Sequence, residues 1–166
     1  MNHNPDHKPS VPFRPTLKGC VAQDHRMARA VTECYYGKLC SLSAYTYTSL
    51  MTEQKDRALS DMLDSFAIEE SEHFRLLGEL ILALGSNPTV KTQVRVSPLE
   101  WREGVCGSHE AAIRTMLEES VQFEKNASDR LQTLMGRTED RVVRSLFAYL
   151  ISDAQRHIEH LRAAIC

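Results

Sequence analysis

The chain lacks most of the features that would place it in a special class. It has five cysteines, Cys20, Cys34, Cys40, Cys106 and Cys166, an odd and scattered set with no CxxC pair. That excludes a disulfide framework and a thiolate zinc site, and it suits a reducing, cytoplasmic setting. No excess of either charge exists: 20 Lys and Arg stand against 22 Asp and Glu. Without a basic excess to neutralise phosphates, nucleic acid is not expected as a partner. The longest apolar runs, such as Leu80 to Leu84, are far too short to span a bilayer. The N-terminus begins with polar residues and has no apolar signal core, so secretion is not expected. Proline is scarce outside the start of the chain, with four of the six within residues 1–19.

What is present is ordinary soluble composition arranged with helical periodicity. At 166 residues the chain has the length of one domain, long enough to bury a core without staples. Residues 1–22 read as a loosely ordered arm, and its His3 and His7 as solvated. Residues 23–166 read as one helical unit. Val31, Tyr35, Leu42 and Tyr45 mark a first helix over about 24–54. Leu59, Met62, Leu63, Phe66, Leu77, Leu80, Ile81 and Leu84 mark a second over 56–84, stopped by Gly85 and Pro88. Residues 86–107, with Pro98, Gly104, Gly107, a β-prone Val94–Val96 and Trp101, break the pattern as a long crossover. Ser108 caps a third helix to about Met135, ended by Gly136. Thr138 is the expected cap of a fourth, carrying Val143, Phe147, Leu150, Ile151, Ile158, Leu161 and Ile165. Four long helices, two short connections and one long central one predict an all-α four-helix bundle of two antiparallel hairpins.

An internal repeat supports this. Residues 49–81 align without gaps on 133–165, with identities at Leu50/Leu134, Met51/Met135, Asp56/Asp140, Arg57/Arg141, His73/His157, Leu77/Leu161 and Ile81/Ile165. Seven matches exceed the roughly two that unrelated segments give, so the hairpins look like copies of one unit. Shared packing explains the apolar matches, but not histidine at both 73 and 157.

The stripes carry polar residues where apolar ones belong. On helix 2, Glu70 and His73 interrupt Leu59, Met62, Phe66, Leu77 and Leu80, three apart on one face. Glu124 interrupts Leu117, Val121 and Leu131 on helix 3, and His157 interrupts Leu150, Ala154 and Leu161 on helix 4. Buried Glu and His need either one another or a cation. ExxH on the inner face of a bundle is a carboxylate di-metal signature. A register-fixing Glu–His network is the alternative. The set is incomplete: the repeat pairs Glu70 with Ala154, and Asp153 sits about 100° around the helix, able to compensate only by local distortion. Counting residues between helices puts Lys38 opposite Glu124, whereas the ungapped repeat puts Cys40 there. Glu33 lies more than a turn too early.

Tyr45-Thr46-Tyr47, Glu70-x-x-His73 followed by Phe74-Arg75-Leu76-Leu77-Gly78-Glu79-Leu80, Glu124 and His157 together resemble the ferritin-like superfamily, in particular its rubrerythrin and manganese-catalase branch. The resemblance spans about residues 25–165. It implies a ferritin-like bundle in which Glu70 bridges two metal ions, His73 binds one, and Glu124 and His157 bind the other. The ions implied are iron or manganese, one or two of them, in an oxidoreductase acting on peroxide, dioxygen or iron. The family's helix-1 glutamate falls at Lys38 and its helix-4 glutamate at Ala154, and the paired CxxC electron-transfer module is absent. Two divalent ions bring four positive charges against Glu70 and Glu124, with Lys38 opposing them. A metal-free bundle, with the Lys38 ammonium held by both glutamates and a role in assembly or partner binding, is therefore kept as the second expectation. Catalytic candidates are Tyr45 and Lys38, although Tyr45 and Tyr47 also suit core packing. Cys40 reads as inert, Glu69 and Glu72 as solvated, and His160 as a surface residue. A homodimer is the default assembly.

Overall fold

In the computed structural model the described residues are Leu17, residues 21–89 and residues 108–166. They form four α-helices: α1 (His25–Thr52), α2 (Arg57–Ala83), α3 (His109–Met135) and α4 (Arg141–Ile165). The arm's His3 and His7, the Val94–Val96 piece and Trp101 lie outside the described residues.

Each helix starts on a side-chain cap that satisfies orphan backbone N–H groups. The Asp24 carboxylate accepts from the Arg26 and Met27 amides, Asp56 from Leu59, and Ser108 from Ala111. α4 differs from expectation. Asp140, not Thr138, is the cap, accepting from the Val142 and Val143 amides. The Thr138 hydroxyl instead accepts from the Asp140 amide, one step upstream. Asp140 is the repeat partner of Asp56, so the two hairpins open their second helix with the same residue.

α2 stops in a two-bond motif. The Ser86 amide donates to the Ile81 carbonyl and the Gly85 amide to the Leu82 carbonyl, both at 3.0 Å. Gly85 makes this turn at φ +84°. The stop also fixes the hairpin, because the Asp24 amide donates to the Leu84 carbonyl at 3.1 Å. The start of α1 therefore lies beside the end of α2.

α1 also packs antiparallel to α3: Glu33, near the start of α1, pairs with Arg130, near the end of α3. α2 and α3 thus both end at the level where α1 begins. The chain between them has to travel back one helix length, about 40 Å for 27 residues. That accounts for the long central connection of an all-α bundle built from two antiparallel hairpins.

Two apolar clusters fill the interior. One joins Val31, Tyr35, Leu77, Leu80, Leu131, Phe147 and Leu150 among others. The second joins Tyr45, Leu63, Phe66, Leu117, Val121 and Leu161, with Leu42, Leu59, Met62, Ile158 and Ile165 half-buried around it. Between the clusters lies a layer of fully buried polar side chains: Lys38, Glu70, His73, Glu124 and His157, each at most 1% exposed.

Gly85→Ala is expected to cost about 1–2 kcal/mol, since a Cβ disfavours left-handed backbone and would meet the Gln23 side chain at 3.2 Å. Urea unfolding of both proteins checks this: a lower midpoint with unchanged slope is expected.

Candidate metal centre

The polar layer follows from helical spacing. Tyr35, Lys38 and Tyr45 share the inner stripe of α1, so the longest side chain of the three is carried into the core. Glu70 and His73, three apart, face it from α2, Glu124 from α3, and His157 from α4. Lys38, and not Cys40, stands opposite Glu124. Cys40 is half-buried, and burial raises its thiol pKa.

The contacts are short and specific. Lys38 Nζ donates to Glu70 Oε1 at 2.8 Å and lies 3.5 Å from Glu124 Oε2. His73 Nδ1 is 2.9 Å from Glu70 Oε1, and His157 Nδ1 is 3.2 Å from Glu124 Oε1. The Tyr45 hydroxyl donates to Glu124 Oε1 at 2.7 Å. Tyr45 is thus a packed core residue with a satisfied hydroxyl. Burial and the adjacent Glu124 charge raise its pKa, so it stays protonated. Tyr47 is half-buried against the second apolar cluster.

The outer nitrogens of both imidazoles are also held. His73 Nε2 lies 2.9 Å from Asp153 Oδ2, and His157 Nε2 lies 2.8 Å from Glu69 Oε2. Arg156 closes the circuit, donating to Glu69 Oε2 at 2.6 Å and to Asp153 Oδ1 at 3.0 Å. Around the layer run Arg156, Glu69, His157, Glu124, Lys38, Glu70, His73, Asp153 and back to Arg156. Basic and acidic groups alternate at every step.

One expectation needs correction here. Glu69 is not simply solvated. Its side chain is 31% exposed, but its carboxylate serves His157 and Arg156. Asp153 does not take the place of the missing helix-4 glutamate, in keeping with its position about 100° around the helix; it reaches the outer nitrogen of His73. No described non-glycine residue has positive φ. Glu72 is exposed, as expected, and pairs with Arg75. His160 is exposed, edge-on to Phe66. The repeat held a signal for the missed pair. Residues 69 and 153 are equivalent under the shift of 84, both are acidic, and each lies four before the repeated histidine of its own hairpin. Each caps the histidine of the other hairpin.

The charges set the protonation. Burial opposes charge on Lys38, but Glu70 and Glu124 outweigh it and raise its pKa, so it is an ammonium. Burial likewise opposes charge on His157, and its bonds to Glu124 and Glu69 lift it from 6.5 to about 8. His73 is raised by Asp153 and Glu70 against the same burial. Burial raises the Glu124 pKa, but Lys38 and His157 overcome this and bring it from 4.5 to about 2. Asp153 and Glu69 are lowered against burial by their His and Arg partners. Tyr149, edge-on to His73 at 5.7 Å, is pushed up to about 12 by burial and the Asp153 charge.

Two buried oxygens, Glu70 Oε2 and Glu124 Oε2, have no hydrogen-bond partner. Glu70, Glu124 and His157 each offer one ligand atom, all within 4.8 Å of one another. The structure thus brings three of the four expected ligands into one cluster, and His73 joins it through Glu70.

The ferritin-like domain family matches residues 39–165, nearly all of the bundle. The chain belongs to this family, and its carboxylate–histidine cluster occupies the interior of a ferritin-like fold. None of the curated proteins compared matches the chain. No helix among the described residues is long and apolar enough to cross a membrane.

Two outcomes follow for chelator-treated protein. Lys38→Ala leaves two buried carboxylates facing each other and is expected to cost about 3–5 kcal/mol in urea unfolding. Stability should also be highest between about pH 5 and 6.5. The Glu124 contribution is complete above 4.5 and lost as pH falls toward 2. The His157 contribution is complete below 6.5 and lost as pH rises through about 8. Thermal melts across pH check both limbs.

Proposed function

We propose that this ferritin-like protein binds one divalent metal ion, iron or manganese, at Glu70, Glu124 and His157, with Lys38 standing where a second ion would sit. The observation that carries the reading is the cluster of one ligand atom each from Glu70, Glu124 and His157 within 4.8 Å of one another, with Glu70 Oε2 left without a hydrogen-bond partner and Glu124 Oε2 reached by the Lys38 ammonium alone, at 3.5 Å. Buried anionic oxygens without a donor are costly, and a cation relieves the cost.

Charge decides the number of ions. Glu69, Glu70, Glu124 and Asp153 oppose Lys38 and Arg156, leaving two negative charges. One divalent ion cancels them with both imidazoles neutral. A second ion would leave two uncompensated positive charges in a dry layer, so the residues fit one ion and not two. Carboxylate and imidazole donors suit iron or manganese more than a soft metal. Such an ion supplies one-electron exchange with a small oxidant, peroxide or dioxygen. The chain's own residues do the rest. Glu69 holds the His157 ring from its outer nitrogen, as outer carboxylates hold metal-ligating histidines. Asp153 does the same for His73. Tyr45 orients Glu124, and the two apolar clusters exclude water. We place the chain nearest the rubrerythrin and manganese-catalase branch, on Glu70-x-x-His73 and the Tyr45-Thr46-Tyr47 segment.

One observation favours a second reading. The Lys38 ammonium already contacts both glutamates, and two imidazolium protons balance the layer as well as one ion does. In that reading the bundle is metal-free and serves assembly or partner binding.

Metal analysis after loading with iron(II) or manganese(II) without oxygen separates them. One ion per chain is expected, lost in Glu70→Ala and Glu124→Ala, and bound more tightly in Lys38→Glu. Wild-type protein that takes up no ion, while Lys38→Glu does, supports the second reading. Two ions in the wild type contradict both.

A further inference from the structure

A second charged feature lies on the surface, away from the buried layer. The first turns of α1 and the last of α3 border a groove of about 510 Å³, walled by Arg26, Arg29, Glu33, Asp129, Arg130 and Arg137. Glu33 is taken up by Arg130. Among the described residues, no carboxylate pairs with Arg26, Arg29 or Arg137. Three guanidinium groups therefore face one remaining acid, Asp129, in a chain whose net charge is -2.

For the two arginines on α1 the placement does not help the fold, whereas Arg137 follows the end of α3, where a cation is favoured. Arg26 and Arg29 sit at the N-terminal end of α1, where the backbone dipole is already positive; the Asp24 carboxylate there is taken up by the Arg26 and Met27 amides, and the first turn itself holds no acidic residue. Like charges gathered there raise the free energy of the folded chain unless an anion joins them. All four cations are arginine, whose planar fork matches phosphate oxygens two at a time, and none is lysine. The volume falls within the ~300–1,000 Å³ of small-ligand sites. The N-terminal segment is the wrong filler, because Lys8, Arg14 and Lys18 outnumber Asp6 over residues 1–20.

We propose that this groove binds a phosphate-bearing polyanion, either a short polyphosphate or the phosphate chain of a nucleotide. Arg26, Arg29 and Arg137 supply the forks, while the Glu33–Arg130 pair and Asp129 bound the groove. The site is independent of the buried layer and of any ion there.

Calorimetric titration at low salt with inorganic tripolyphosphate, and separately with a nucleoside triphosphate, tests this on the full chain. Saturable one-to-one binding is expected, weakened about tenfold or more in Arg29→Ala/Arg137→Ala. Arg29→Lys/Arg137→Lys should fall between, because charge remains but the fork is lost. Tighter binding of the nucleotide assigns a nucleoside contact, and equal binding assigns the phosphate chain alone. These side chains are exposed and unpaired, so unchanged helical circular dichroism is expected in every variant. Arg57→Ala/Arg114→Ala, which removes two arginines engaged in surface ion pairs elsewhere, should bind like wild type. The proposal fails if wild type does not bind, if Arg29→Ala/Arg137→Ala binds unchanged, or if both alanine pairs weaken binding alike. It also fails if Arg29→Ala/Arg137→Ala changes only the sedimentation coefficient, which would mark the groove as a contact between copies of the chain.

Discussion

The Lys38 ammonium between Glu70 and Glu124 is the interaction on which the buried layer depends. A lysine that is 1% exposed is tolerable only with full compensation, and here two carboxylates from two other helices supply it. The same contact fixes heights. α1, α2 and α3 must keep Lys38, Glu70 and Glu124 level, and a slip of one turn would strand a charge in an apolar cluster. Hydrophobic packing alone is permissive of such slips, because leucine stripes repeat along each helix. The polar layer fixes the register of the helices, and the apolar clusters on either side keep it dry.

The alternation of charge around the layer has a further consequence. Every buried carboxylate has a basic neighbour on both sides, and every basic group has two acidic ones. The two hairpins contribute in a crossed fashion, with Glu69 of α2 serving His157 of α4 and Asp153 of α4 serving His73 of α2. Arg156, 39% exposed at its side chain, ties these two outer carboxylates together at the α2–α4 seam. The layer is thus closed toward solvent by a salt bridge and closed along the bundle by apolar side chains. A centre built this way can exchange a pair of protons for a divalent ion without changing its total charge. That links the ferritin-like fold to its proposed single-ion use.

Much of this was legible in the sequence, for identifiable reasons. Helical periodicity reports which face is buried, so Glu70, His73, Glu124 and His157 stood out as polar interruptions of apolar stripes. The repeat reported that His73 and His157 are equivalent. It was less useful on α1, where gapless alignment favoured Cys40 while the residue count between helices favoured Lys38, and the structure decides for Lys38. Glu69, Asp153 and Arg156 were hidden for a different reason. They lie at the edge of the stripe, where periodicity predicts solvent, and their role comes from the neighbouring helix across the seam. The cap of α4 was misplaced because Thr138 and Asp140 are both good caps, and the match of Asp140 to Asp56 is what separates them.

The most direct test of the alternating layer is the protonation of its histidines. Nitrogen-15 NMR of the imidazole rings in chelator-treated protein near pH 5.5, below the raised His73 and His157 values, reports each ring nitrogen separately. With every ring nitrogen of His73 and His157 facing a carboxylate oxygen, both rings are predicted to be imidazolium, protonated at Nδ1 and Nε2. A neutral ring at either position, with an unprotonated Nδ1 pointing at its glutamate, would contradict the account.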